Sequence, residues 1–258
     1  MTVRRIIITR PEGQGDALAQ QLRALGYEPV AVPAIAIEPP ASFDALDRAI
    51  RDLPRFDWAL FTSRNGVEAL FDRRAVVAPA APLPGRLAAI GPGTADALAA
   101  RGYPGAWVPS RFLSVAVADE MPAEAGQRVL RVRAAAASEL PTRRLRARGI
   151  EVVDVVAYRT VEAPPGSRAR LDQAMRQGAE AVVFTSASTV RGLVKLASET
   201  GWTAALSRLL LVAIGPVTAR ALAQAGLRAG IVAQSHTAEG IAAALAERRG
   251  THAGFSNE

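Results

Sequence analysis

Four short stretches carry the residues best suited to chemistry: Thr62-Ser63-Arg64-Asn65, Gly91-Pro92-Gly93-Thr94, Thr185-Ser186-Ala187-Ser188 and Gly215-Pro216-Val217-Thr218. Each follows a short apolar run, is rich in hydroxyls or glycine and lacks acids. A strand giving way to a helix at such a point leaves unpaired backbone N–H groups and the positive end of the helix dipole, which together suit a carboxylate or phosphate. Ser, Thr and Gly are also the ordinary N-caps of any helix, so capping alone explains each stretch taken singly. Two in each half of the chain, with matched composition, point beyond capping. Nucleotide fingerprints are missing: Gly91-x-Gly93 has no third glycine, Gly13-x-Gly15 runs on as Asp16-Ala17-Leu18, and no Gly-Lys-Ser/Thr occurs.

Other chemistries are narrowed by what the chain lacks. With no cysteine there are no disulfides, thiolate nucleophiles, thiolate zinc sites or iron–sulfur clusters. Two histidines, His236 and His252, make a histidine metal site or a Ser-His-Asp triad a poor expectation, and His236, just before Thr237 and Glu239, reads as a surface or capping residue. The net charge of +7 is carried by arginine, since Lys195 is the sole lysine. Arginines are scattered apart from Arg143, Arg144, Arg146 and Arg148, on a helix expected over 138–148 with Leu140 and Leu145 inward. Aromatic residues make up only 5% of the chain, too few for base stacking, and no nucleic-acid motif is present. No apolar run approaches the ~20 residues of a membrane helix, and the N-terminus has no signal-peptide pattern.

The elements that position these stretches are repeated. At a shift of 123 residues, Arg5 meets Arg128, Arg10 meets Arg133, Leu22-Arg23-Ala24 meets Leu145-Arg146-Ala147, Gly26 meets Gly149 and Phe61-Thr62-Ser63 meets Phe184-Thr185-Ser186. At a shift of 124, Ala89-Ile90-Gly91-Pro92-x-Thr94-Ala95 meets Ala213-Ile214-Gly215-Pro216-x-Thr218-Ala219. Blocks kept in order at nearly one offset mark an internal duplication, and 258 residues suffice for two domains with their own cores. Within each half, strand signals (5–9, 58–61, 87–90; 181–184, 209–214) alternate with helix signals (17–25, 66–71, 95–101) over short loops. The expected fold class is α/β, two doubly wound parallel sheets. Residues 30–37 and 152–161 are long extended runs near prolines. They are either interior strands of two consecutive domains or bridges by which the chain crosses between lobes.

The duplication also breaks symmetry. Tyr158 and Arg159 correspond to Ile35 and Ala36, so one extended run is apolar while the other carries a phenol and a guanidinium. A phenol is protonated at neutral pH, with a reference pKa near ~10, and can donate a proton in a cleft; a buried tyrosine tied to a neighbour is the structural alternative. Arg10, just past a strand end, is a further candidate anion contact, although Arg133 is its counterpart.

Together, Phe-Thr-Ser-x-Asn-Gly-Val at 61–67, Ala-Ile-Gly-Pro-x-Thr-Ala at 89–95 and 213–219, Val-Ala-Tyr-Arg-Thr at 156–160 and His-Thr-Ala-Glu-Gly-Ile at 236–241 resemble the uroporphyrinogen-III synthase family, over nearly the whole chain. The resemblance implies two flavodoxin-like domains joined by a two-stranded bridge: 1–36 with 161–250 as one discontinuous domain and 40–155 as the other; the polar, glycine-containing residues 251–258, without periodicity, read as an unstructured tail. It implies a lyase that needs no cofactor or metal and closes hydroxymethylbilane, a linear tetrapyrrole with eight carboxylates, with loss of water and inversion of ring D. Tyr158 matches the family's tyrosine that assists loss of the hydroxyl. The substrate-binding set is Arg10, Ser63, Arg64, Asn65, Gly91, Thr94, Ser186, Ser188, Gly215 and Thr218. Two stretches depart from the family's pattern: Ala134-Ala135-Ala136-Ala137 replaces a glycine-rich run, and Ser114-Val115-Ala116-Val117 replaces Ser-Glu-Gly-Leu. A cytoplasmic monomer is expected, with a small-molecule substrate handed over by hydroxymethylbilane synthase, and with neither nucleic acid nor membrane as partner. The rival readings are a two-lobed binding protein for a polyanionic small molecule without catalysis and, third, a nucleic-acid binder.

Overall fold

The computed structural model describes residues 4–111 and 114–253. In chain order its elements are β1 (Arg4–Ile8), α1 (Asp16–Ala24), β2 (Tyr27–Ala31), β3 (Ile35–Glu38), α2 (Asp44–Arg51), β4 (Trp58–Phe61), α3 (Arg64–Val77), β5 (Arg86–Ala89), α4 (Pro92–Ala100), α5 (Ser114–Glu120) and β6 (Arg128–Ala134). There follow α6 (Leu140–Ala147), β7 (Glu151–Glu162), α7 (Ser167–Arg176), β8 (Ala179–Phe184), α8 (Ala187–Thr200), α9 (Thr203–Leu206), β9 (Leu210–Ala213), α10 (Pro216–Gln224), β10 (Ile231–Val232) and α11 (Ala238–Ala253). The chain divides into two compact units, one formed by residues up to Ala36 together with those from Val161 onward, the other by Ile37–Thr160.

The first unit holds a sheet of order β2-β1-β8-β9-β10 in which every pairing is parallel. Numbered along the unit this is 2-1-3-4-5, the flavodoxin-like order, with its switch point between β1 and β8. Strand residues alternate between two cores, as a sheet buried on both faces requires. Ile7, Val182 and Phe184 pack with Leu171, Leu193 and Leu222 from α7, α8 and α10. Ile6, Ile8 and Val183 pack with Leu18 and Leu22 of α1 and Ile241 and Leu245 of α11. The short chain segment after β2 is clamped from above: a Cβ on Gly192 of α8 would stand 2.0 Å from the Ala34 carbonyl oxygen. Only a glycine allows α8 that approach.

The second unit has the order β3-β7-β6-β4-β5. The pairings of β4 with β5, β4 with β6, and β6 with β7 are parallel. By the 123-residue offset β6 and β7 correspond to β1 and β2, and β4 corresponds to β8. The run β7-β6-β4-β5 therefore repeats β2-β1-β8-β9, with its switch point between β6 and β4. Even the last strand has a remnant: Trp107 forms a parallel bridge to Ala88, at the place where Ile231 of β10 pairs with β9 in the other unit. Each unit thus takes strands from both halves of the duplication. Ala59, Phe61, Leu130 and Val132 face Ile50, Leu70 and Leu98 of α2, α3 and α4. Trp58, Leu60 and Val129 face Val117 of α5 and Leu145 of α6.

Local differences from expectation have simple causes. The run 30–37 is two strands, β2 and β3, in different sheets. Pro33 lies in the break and has no N–H for a ladder. The run 152–161 is continuous as β7, and β3 is its hydrogen-bonded neighbour. In α6 Leu145 is fully buried and Leu140 only partly. Where an unstructured tail is expected from 251, α11 keeps helical backbone through Ala253, and 254–258 lie outside the described residues.

Candidate functional site

In open parallel sheets ligands bind beyond the carboxyl ends of the strands, next to the switch point. In the second unit that position is occupied by the end of β4 and the start of α3. Ser63 is the N-cap of α3, in extended conformation, and its Oγ accepts from the Gly66 N–H at 3.0 Å. The same Oγ lies 2.8 Å from the hydroxyl of Tyr158 on β7. Tyr158 is 6% exposed and packs in the core with Val155 and Ala157. Burial pushes the phenol up from its ordinary pKa, against the opposing hydrogen bonds of Ser63 and Asn65. The phenol is therefore protonated at neutral pH and hydrogen-bonded to two of the residues that the sequence placed with it. Arg64, between them, is exposed.

The other three junctions fall into two kinds. Ser186 caps α8 as Ser63 caps α3, in a capping box with Thr189, and its hydroxyl is 2.9 Å from that of Ser188. Gly91 and Gly215 open α4 and α10 with proline in the first turn and no side-chain cap among the described residues. Capping accounts for the serines; at the two glycines the backbone amides remain for a ligand. Thr94 and Thr218, expected to line the site, are buried in the first turns of α4 and α10. In the first unit, beyond the end of β1, Arg10 donates to the Gln14 carbonyl at 3.1 Å, and its charge helps hold the Glu239 carboxyl below the usual range, after the hydrogen bonds from the Glu239 backbone and from Thr237.

The structure brings Tyr158, Ser63 and Asn65 together in one unit. In the other it sets Gly215 beside a residue given no site role by the sequence: a Cβ on Gly215 would stand 2.5 Å from His236 Nε2, so the imidazole lies against that glycine. Arg159, adjacent to Tyr158, instead pairs with Glu38 and is exposed. Among the described residues no group of three or more acidic or histidine side chains is arranged to hold a metal.

The arginine excess has a structural use. Arg148 donates to the carbonyls of Ala118, Met121 and Ala123, Arg146 to Val152, Arg74 to Ala81, and Arg144 pairs with Asp119. All four arginines of the dense patch on and just after α6 are exposed, but three of them use their guanidinium donors within the protein, Arg146 and Arg148 on carbonyls and Arg144 on a carboxylate.

Duplicated, doubly wound sheets with polar residues collected at the carboxyl ends of their strands define a two-unit α/β protein with flavodoxin-like strand order. The family profile described as uroporphyrinogen-III synthase HemD matches residues 16–243. A uroporphyrinogen-III synthase of Synechococcus elongatus is 34% identical over 250 residues, covering 93% of each chain, and a putative uroporphyrinogen-III synthase of Archaeoglobus fulgidus is 29% identical over 95% of this chain and 99% of its own. Among solved structures, a mutant uroporphyrinogen III synthase of Thermus thermophilus superimposes with a TM-score of 0.67 at 23% identity, over 97% of this chain and 99% of that one. The Helicobacter pylori enzyme superimposes with a TM-score of 0.60 at 17% identity, over 96% of this chain and 100% of that one. The chain belongs to the uroporphyrinogen-III synthase family, enzymes of tetrapyrrole biosynthesis.

Proposed function

We propose that the protein closes hydroxymethylbilane to uroporphyrinogen III, with Tyr158 as the group that assists departure of the terminal hydroxyl. The observation that carries this reading is the buried Tyr158 phenol, 2.8 Å from Ser63 Oγ at the switch-point end of one sheet. A phenol held neutral by burial can hydrogen-bond to the leaving hydroxyl and give up its proton as water departs. The electrophilic methylene carbon of the azafulvene cation so formed is attacked by the substituted carbon of ring D. The resulting spiro intermediate fragments and recloses with that ring inverted, and the ring proton then lost goes to the Tyr158 phenolate, which restores the phenol. Non-inverting closure occurs spontaneously, so the protein's task is to hold the chain in the conformer that inverts.

Eight carboxylates call for many donors. In this reading the first unit offers Arg10, the hydroxyls of Ser186 and Ser188 and the helix starts at Gly215 and Thr218, and the second offers Arg64, Asn65, the Ser63 hydroxyl and the helix starts at Gly91 and Thr94. Thr94 and Thr218 are buried and the Thr94 N–H donates to the Gly91 carbonyl at 3.0 Å, so in this reading their contribution is to shape the helix starts. A non-catalytic anion carrier would use the same helix starts but has no use for Tyr158, whose counterpart at the 123-residue offset is Ile35. The same reading makes the protein a cytoplasmic monomer that receives its unstable substrate from hydroxymethylbilane synthase. The test is incubation with enzymatically generated hydroxymethylbilane, oxidation, and separation of the uroporphyrin isomers. Isomer III is expected; isomer I alone overturns the proposal.

A further inference from the structure

The second unit contains a buried polar cluster of which the first keeps only one member, Arg10 in the place of Arg133. Arg131 of β6 is 1% exposed, inside a parallel sheet. Its Nη1 donates to Thr142 Oγ1 at 2.8 Å and to Asp154 Oδ2 at 3.2 Å, and its Nη2 donates to the Ser138 carbonyl at 2.8 Å. Arg133, two residues on, donates through Nε to Asp154 Oδ1 at 2.9 Å and through Nη1 to the carbonyls of Ala134 and Ala135, both at 3.1 Å. Thr142 completes the arrangement by donating to Asp154 Oδ2 at 3.0 Å. One carboxylate thus joins two guanidinium groups, and these hold the carbonyl of the last β6 residue, Ala134, and two carbonyls of the loop that follows, those of Ala135 and Ser138. At the 123-residue offset Arg131, Thr142 and Asp154 fall on Ile8, Ala19 and Ala31, which can make none of these bonds.

The loop so held is the one that touches Tyr158. Pairing of β6 with β7 runs regularly from Arg128 opposite Glu151 to Arg133 opposite Val156, then shifts so that Ala134 lies opposite Tyr158. The extra residue is Ala157, and a bulge of this kind turns the following side chain away from strict alternation. Ala157 and Tyr158 accordingly both enter the same core, where alternation would have sent the phenol to the opposite face. Immediately past the shift the Ala135 N–H donates to the Tyr158 carbonyl at 2.9 Å. Arg133 grips the carbonyls on either side of that bond.

We propose that the Asp154–Arg133–Arg131 cluster is a positioning device that fixes the β6–β7 bulge and so aims the Tyr158 hydroxyl at Ser63. The device rests on the catalytic reading of Tyr158 given above. Asp154 orients both guanidinium groups, Arg131 anchors the far end of the loop at Ser138, and Arg133 pins the near end at the bulge. The cluster belongs to the unit in which a tyrosine hydroxyl meets a helix-capping serine. It acts through backbone and makes no contact with substrate.

The experiment is a double-mutant cycle of Arg133→Lys with Tyr158→Phe in the full chain, assayed with enzymatically generated hydroxymethylbilane. Lysine keeps the charge beside Asp154 but cannot hold the carboxylate and two carbonyls together. With Tyr158 present, kcat should fall about tenfold while KM stays within about twofold, since misaiming of an angstrom or less is felt in the chemical step. In the Tyr158→Phe background the same substitution should cost less than about twofold, because the group being aimed is gone. Equal losses in both backgrounds would show the cluster to be merely structural and overturn the proposal. A Tyr158→Phe enzyme with wild-type kcat would overturn the catalytic reading and this proposal with it, so the two failures are distinguishable. If Arg133→Lys does not fold by circular dichroism, Thr142→Val, which leaves every charge in place, enters the same cycle with the same criterion.

Discussion

Replacing Tyr158 by phenylalanine removes one oxygen from a buried site, and the structure separates its effect on stability from its effect on rate. Ser63 Oγ loses the phenol at 2.8 Å but keeps the Gly66 N–H at 3.0 Å, and Asn65 loses its bond to the phenol as well. The expected destabilisation is that of two neutral hydrogen bonds, about 2 kcal/mol, partly offset because a buried hydroxyl no longer has to be desolvated. That corresponds to a fall in melting temperature of about 4–8 °C for a protein of this size. The rate effect is larger: losing a positioned proton donor should lower kcat by ~10- to 100-fold, or about 1.4–2.7 kcal/mol of barrier. Steady-state turnover of enzymatically generated hydroxymethylbilane, beside thermal denaturation of the same samples, reads both quantities. Unchanged kcat with the small loss of stability would show the Ser63–Tyr158 bond to be a structural tie only and remove Tyr158 from the mechanism.

Four further outcomes are expected. Stability carried by the buried Tyr158 should be complete below pH 10.0 and fall as pH rises from there through the raised folded value, because only the unfolded chain ionises freely; the alkaline fall should be shallower in Tyr158→Phe, and equally steep limbs in denaturant titrations against pH would contradict this. Gly192→Ala places a methyl 2.0 Å from the Ala34 carbonyl oxygen, which must push α8 outward and cost about 3 kcal/mol or more; a wild-type urea midpoint would refute the close approach. Ser186→Ala should cost about 1 kcal/mol through the lost cap on Thr189 and spare kcat far more than Ser63→Ala, which also frees the phenol; equal effects on kcat would deny Ser63 its link to Tyr158. Mixed-sequence DNA at physiological salt should show no specific anisotropy change at micromolar protein, since much of the arginine charge is engaged internally; tight binding with a steep salt slope would revive a nucleic-acid role.

Much of this organisation is legible in the residues. The apolar strands Ile6-Ile7-Ile8, Trp58-Ala59-Leu60-Phe61 and Ala181-Val182-Val183-Phe184 are short, continuous and followed by helix starts, and the offset of 123–124 ties them into two related sets. The Ser and Gly helix starts are placed where the sequence puts them because strand end and N-cap are adjacent in the chain. What escapes is whatever depends on pairing across the fold. Nothing local says that 30–37 breaks at Pro33 into strands of different sheets, or that Trp107 keeps a single bridge where its counterpart Ile231 lies in a strand. The Ser63–Tyr158 bond spans 95 residues and its geometry depends on a bulge invisible in a strand-like run. The Arg131–Asp154 cluster had a signal: both interrupt apolar strands where the other half has Ile8 and Ala31. A charge inside a buried strand is costly unless paired, and such a departure from the repeat marks a specialised site.

Turnover of hydroxymethylbilane with inversion of ring D is read by following uroporphyrinogen isomers over time with the substrate, generated enzymatically, in large molar excess over the protein. Isomer III is expected to accumulate well beyond the amount of protein, with isomer I held to the level that forms spontaneously. Isomer I alone, at the rate seen without protein, or isomer III that stops at one equivalent, would refute catalysis by this chain.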